Sequence, residues 1–120
     1  MNIELFRTYC INKPGVTEGF PFDESTLVFK VMGKMFALTS LKSTWFSVNL
    51  KCDPEKAITL REENESISAG YHMSKKHWNT VSFEHNEISQ ELLLELTDHS
   101  YNLVVSKLTK KLKEELRLMK

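Results

Sequence analysis

Residues 43–55 read Ser-Thr-Trp-Phe-Ser-Val-Asn-Leu-Lys-Cys-Asp-Pro-Glu. Phe46, Val48, Leu50 and Cys52 fall on one side of an extended chain, and Ser47, Asn49 and Lys51 fall on the other. That alternation predicts a half-buried antiparallel strand, dry on one face and wet on the other. The strand period stops at Asp53-Pro54-Glu55, a strong helix start. Asp caps, Pro fits the first helical position, and Glu lies at the positive end of the helix dipole. A one-sided strand running straight into a helix predicts a sheet covered by helices on one face.

The surrounding elements fit that frame. Upstream, Leu27, Phe29 and Val31 alternate with Val28, Lys30 and Met32. Gly33–Lys34 reads as a tight turn, and Met35 to Leu41 as the return strand. Residues 1–12 read as a helix capped by Asn2, with Ile3, Phe6 and Cys10 at helical spacing. Residues 13–24 hold two prolines and two glycines and read as a connecting loop. The helix opened by Asp53 extends to about Asn64. Two strands follow, near residues 66–70 and 77–83, with a loop beginning at Gly70. A long C-terminal helix capped by Ser89 carries an apolar stripe from Leu92 to Leu116, with a break marked by Thr109 and Lys110–Lys111. The expected architecture is α+β in two layers, α-β(3)-α-β(2)-α. Its sheet is antiparallel with strands in meander order, and residues 1–120 form a single domain.

Composition excludes several classes. Hydrophobic residues make up 41% of the 120 and include seven Phe, three Tyr and two Trp, which argues against disorder. No apolar run reaches the ~18 residues that span a bilayer. The start of the chain has no basic-then-apolar pattern, so the expectation is a cytoplasmic protein without a signal peptide. Cys10 and Cys52 sit at apolar-periodic positions and read as buried free thiols; a disulfide between them is the minor alternative.

The charges are segregated. Lys and Arg number 16, as do Asp and Glu, so the net charge is zero. Yet no acid occurs from Thr26 to Cys52 or from Ser66 to Phe83, and those stretches carry Lys30, Lys34, Lys42, Lys51, Lys75 and Lys76. A one-signed surface holds a polyanion even on a neutral protein. By alternation, Lys51 and Lys30 point away from the core, onto an open sheet face. The competing explanation is edge protection by lysine.

Residues 70–81 combine Tyr71, His72, Lys75, Lys76, His77 and Trp78. Such a mix suits a surface that grips phosphates with cations and stacks on sugar or base with rings. A hairpin with Tyr71, Met73 and Trp78 packed inward explains it equally simply. Chemistry is weakly signalled. His72 and His77 have no acid near them in sequence, and there is no HExxH, CxxC, GxSxG or glycine-rich phosphate loop. No catalytic residue, metal or cofactor is expected. The run from Lys107 to Lys120 is basic and amphipathic, and reads as packed on the domain rather than on a membrane.

Several motifs taken together resemble the MmcQ/YjbR family: Gly33–Phe36, Leu50–Pro54, Gly70–Met73, Lys76–Val81 and Ser100–Tyr101, with Pro21–Phe22 before the first strand. The match in order and spacing runs from about residue 4 to about residue 112; Ala69 stands where the family pattern has proline. The resemblance implies a small α/β domain like the type III secretion chaperone fold, in a "double wing" arrangement with a proposed DNA-binding role. It carries over Lys34, Lys51, His72, Lys76, His77 and Trp78 as functional positions.

The leading expectation is therefore a non-enzymatic DNA-binding protein. It would use a basic open sheet face, with Lys30 and Lys75 added to that set, and a wing-like loop at 70–78. The alternative is a chaperone-like module receiving a protein segment. An enzyme using His72 as acid–base ranks behind both. A monomer or weak dimer is expected, with no membrane contact.

Overall fold

The computed structural model describes residues 1–70, 73–85 and 87–119. Six strands form one antiparallel sheet: β1 Val16–Gly19, β2 Thr26–Val31, β3 Lys34–Ser40, β4 Ser47–Lys51, β5 Ile67–Ala69 and β6 Trp78–Ser82. Their spatial order is β1-β2-β3-β4-β6-β5. Four helices complete the fold: α1 Ile3–Ile11, α2 Pro54–Glu63, α3 Gln90–Ser106 and α4 Lys110–Arg117. The α+β, helix-covered antiparallel sheet expected from sequence is present.

Local chemistry explains the helix starts. Asn2, Asp53, Ser89 and Thr109 cap the four helices, each accepting a backbone N–H three residues on. Pro54 follows its cap at the first helical position. The break expected at Thr109 is real: Leu108 ends a tight turn, and Thr109 starts α4.

All four helices lie on one face of the sheet. Phe6 and Cys10 of α1, Leu93, Leu96 and Val104 of α3, and Leu116 of α4 pack against Leu27, Phe29, Val31, Phe36, Val48, Leu50, Ile67 and Val81. Phe6 meets Phe29 edge-on with centroids 5.7 Å apart, an arrangement that adds to area burial. Ser100 ties α3 to the sheet: its hydroxyl accepts from the Lys51 amide at 2.9 Å and donates to the Phe36 carbonyl. Tyr101 packs edge-on against Phe36 and donates to the Pro14 carbonyl at 2.6 Å.

Three sequence expectations are corrected. Residues 16–19 form an edge strand inside the predicted loop, because pairing with β2 supplies what the local pattern lacks. Glu18 there turns to the helix layer and pairs with Arg7 of α1 (Nε–Oε1 2.7 Å). The β2–β3 turn is Met32–Gly33, one residue earlier than read, since Val31 pairs with Lys34. Both turn residues have positive φ, 50° and 84°, as a two-residue hairpin turn matched to strand twist requires. The sheet is also not a simple meander. The chain leaves β4 through α2, lays β5 at the edge, and returns with β6 between β5 and β4.

Candidate nucleic-acid interface at one end of the sheet

Strand pairing assigns the open face. Lys30 pairs with Met35, Val28 with Leu38, Asn49 with Thr80, and Lys51 with Trp78. Paired residues share a face, so Lys30 stands beside Met35 and Lys51 beside Trp78, each pair about 4.8 Å apart, and Met35, Lys51 and Trp78 line one depression at this end of the open face. No Asp or Glu occupies an open-face position on any of the six strands. The acid-free stretches of sequence hold five of the six strands, β2 to β6.

That face is not basic throughout. Its centre is apolar: Val28, Leu38 and Trp78 are buried against one another, with Met35 and Met73 packed alongside. Only Lys30 and Lys51 are cationic on it. The expected basic face contracts to a basic end, because lysine sits where strands finish and apolar residues hold the middle.

Three more lysines of the acid-free stretches gather at that end. Lys34 opens β3, and Lys75, Lys76 and His77 lead directly into β6 beside the end of β4. All four are exposed. Lys42 lies beyond the opposite end of β3 and does not join them. Lys34 and Lys51 line one depression of about 340 Å³ together with Met35, Trp78, Val104, Leu108 and Lys107. The depression wraps around the sheet end, since Lys34 pairs with Val31 on the helix side while Lys51 pairs with Trp78 on the open side. A smaller hollow of about 130 Å³ adjoins it, lined by Lys51, Lys107, His77, Cys52, Asp53, Pro54 and Leu103.

Sequence reasoning missed Lys107, the residue that closes α3. The basic C-terminal run was visible, but its convergence on Lys34 and Lys51 depends on α3 crossing the sheet at Ser100. Among the described residues, none of the ion pairs involves Lys30, Lys34, Lys51, Lys75, Lys76 or Lys107. His72 lies outside the described residues, as does Tyr71.

Trp78 belongs to the site as structure rather than as an exposed platform. It is 7% exposed, and a Cβ on Gly70 would lie 2.7 Å from the Trp78 Cβ. Glycine is what lets the incoming chain touch β6 there, with the Gly70 amide donating to the Trp78 carbonyl at 2.8 Å. The 74–78 segment is pinned twice more. The Cys52 amide donates to the His77 carbonyl at 2.8 Å. Arg61 of α2 reaches over to donate to the Lys75 and Trp78 carbonyls and, at 2.6 Å, to Asn79 Oδ1. Arg61 is the second residue that sequence reading overlooked; nothing in α2 alone points to the loop it holds.

Among the described residues, both cysteines and His99 have structural surroundings. Burial pushes the Cys10 thiol up to about 12 and also raises Cys52. Both thiols are free and buried, as expected. His99 accepts the Asp53 amide through Nε2 at 3.2 Å, which makes it a support for the α2 cap. Among the described residues no three His, Cys, Asp or Glu side chains gather as metal ligands would. No helix among the described residues is long and apolar enough to cross a membrane.

The YjbR family model matches residues 11–103. This chain belongs to the YjbR family. YbdF of Escherichia coli O157:H7 is 40% identical over 115 residues, spanning 95% of this chain and 93% of that one. YjbR of Escherichia coli K12 is 29% identical over 106 residues, spanning 88% and 89%. Among solved structures, the Deinococcus radiodurans protein DR2400 superposes with a TM-score of 0.89 at 42% identity, covering 96% of this chain and 87% of that one. A Pseudomonas syringae protein superposes at 0.73 with 25% identity, covering 86% and 98%. Four of the motif segments that carried the YjbR resemblance meet in space. Gly33–Phe36, Leu50–Pro54, Lys76–Val81 and Ser100–Tyr101 surround the basic end, joined by the Ser100, His77 and Trp78 hydrogen bonds.

Proposed function

We propose that this domain binds the phosphate backbone of DNA through the basic end of its sheet, without catalysing a reaction. The observation that carries the reading is the convergence of Lys34, Lys51 and Lys107 on one depression, flanked by Lys30, Lys75 and Lys76. Lysines left without carboxylate partners among the described residues keep their charge available for phosphate, and each contact releases a counterion. The buried, protonated thiols and the structural role of His99 favour binding over chemistry.

The test is fluorescence anisotropy with a labelled duplex of about 25 base pairs across a salt series. Binding is expected at low salt and should weaken steeply as salt rises. Lys51→Ala should lower the slope of log affinity against log salt by about one unit. Lys42→Ala, at the opposite end, should leave the slope unchanged. Absence of binding at low salt, or equal effects of the two substitutions, would refute the proposal.

A further inference from the structure

Beyond the Lys30–Met35 and Lys51–Trp78 pairs, the open face holds a groove of about 530 Å³. Leu38 and Met35 line it together with Phe22 and Met73, and Thr26 and Asn49 supply polar groups. Leu38 is 6% exposed, whereas Phe22 is 63% exposed. Asn49 Oδ1 accepts from the Thr80 hydroxyl, and the Asn49 amide N–H groups donate to nothing among the described residues.

We propose that this groove takes unpaired bases of single-stranded DNA whose phosphates rest on Lys30 and Lys51. The inference rests on the DNA reading above and narrows it to the single strand. A base has two apolar faces and a polar rim, which is the lining of this groove: aliphatic and aromatic walls with an amide and a hydroxyl at the edge. Lys51 stands two residues from Asn49 on the same strand and face, about 7 Å away along the backbone. A phosphate on the lysine and a base over Leu38 therefore belong to adjoining parts of one strand. A duplex keeps its bases stacked and would leave the groove and Phe22 uncovered, while a single strand fills them. Deoxyribose suits the apolar floor of Leu38, Met35 and Met73 better than ribose, whose 2′-hydroxyl would lose water there. The open-face strand positions carry no carboxylate to repel the backbone; the Asp23 carboxylate at the Phe22 end of the groove is taken up by the Ser25 and Thr26 amides, four residues along β2 from Lys30.

The experiment compares an oligothymidylate of about 12 nucleotides with a duplex of the same length by anisotropy at low salt, using the full chain. The single strand should bind more tightly. Phe22→Ala, at a position exposed enough to leave folding intact, should weaken it about tenfold and leave duplex affinity unchanged. Lys51→Ala should weaken both. As a second readout, the methyl resonances of Met35 and Met73 should shift on adding oligothymidylate and not on adding duplex. Duplex binding equal to or tighter than single-strand binding, an unaffected Phe22→Ala variant, or tighter binding of the matching oligouridylate overturns the inference and leaves the DNA reading standing. The inference also falls if an apolar–acidic peptide shifts the two methyl resonances while oligothymidylate does not. If neither nucleic acid binds at low salt, the DNA reading itself fails.

Discussion

At the residue scale, His99 links the candidate site to stability. Its Nε2 accepts the Asp53 amide at the start of α2, so it must be unprotonated there. Burial lowers its pKa first and the Lys56 charge adds to that, while Asp53 opposes both. A lowered folded value means that the unfolded chain takes up the proton more readily. The stability this contact supplies is complete above the ordinary histidine value of about 6.5 and declines as pH falls below it toward the folded value. The urea midpoint of the native chain should therefore fall between about pH 7 and pH 5. His99→Gln, whose amide oxygen still accepts but does not titrate, should show a shallower fall across that window. Identical slopes for the two proteins would remove His99 from the account.

At the element scale, α2 carries a second duty beyond covering the sheet. Arg61 satisfies three acceptors on the segment that leads into β6, and each bond to a charged donor contributes about 1.5–3 kcal/mol at most. Arg61→Ala should loosen residues 74–77 without unfolding the sheet. Amide exchange at His77 and Trp78, which donate to the Ser74 carbonyl, should accelerate by at least tenfold while Val48 and Leu50 stay protected. Equal acceleration everywhere would mean that Arg61 supports the whole fold rather than this turn. The same scale shows what the sequence made legible. The alternation from Phe46 to Cys52 and the Asp53–Pro54 stop were readable because period and capping are local properties. The strand at Val16–Gly19 was not, since it exists by pairing with β2 amid prolines and glycines. The place of β6 between β4 and β5 was hidden for the same reason: strand order is decided by which edge α2 covers. The faces of Lys30 and Lys51 followed from alternation alone, whereas Lys107 and Arg61 reach the site only through helix placement.

At the scale of the whole molecule, the question is whether net or local charge governs binding. The chain is neutral overall, with a sequence pI near 6.9, yet its cations collect at one end of the sheet while α2 carries Glu55, Glu62 and Glu63. Within a Debye length of about 8–10 Å a bound phosphate meets Lys34, Lys51 and Lys107 against the single Asp53 carboxylate of the adjoining hollow, while Glu62 and Glu63 lie at the far end of α2. Raising the pH from about 7 to about 8.5 carries the molecule above its sequence pI of about 6.9 and makes it net negative. If the basic end does the binding, DNA affinity at constant ionic strength should change by less than about twofold over that range. A loss greater than about tenfold would show that total charge, or a group titrating near neutrality such as a histidine, controls association instead. The outcome separates a built site from nonspecific attraction because Lys34, Lys51 and Lys107 are held together by α3 and two strand ends, whatever the charge of the rest of the molecule.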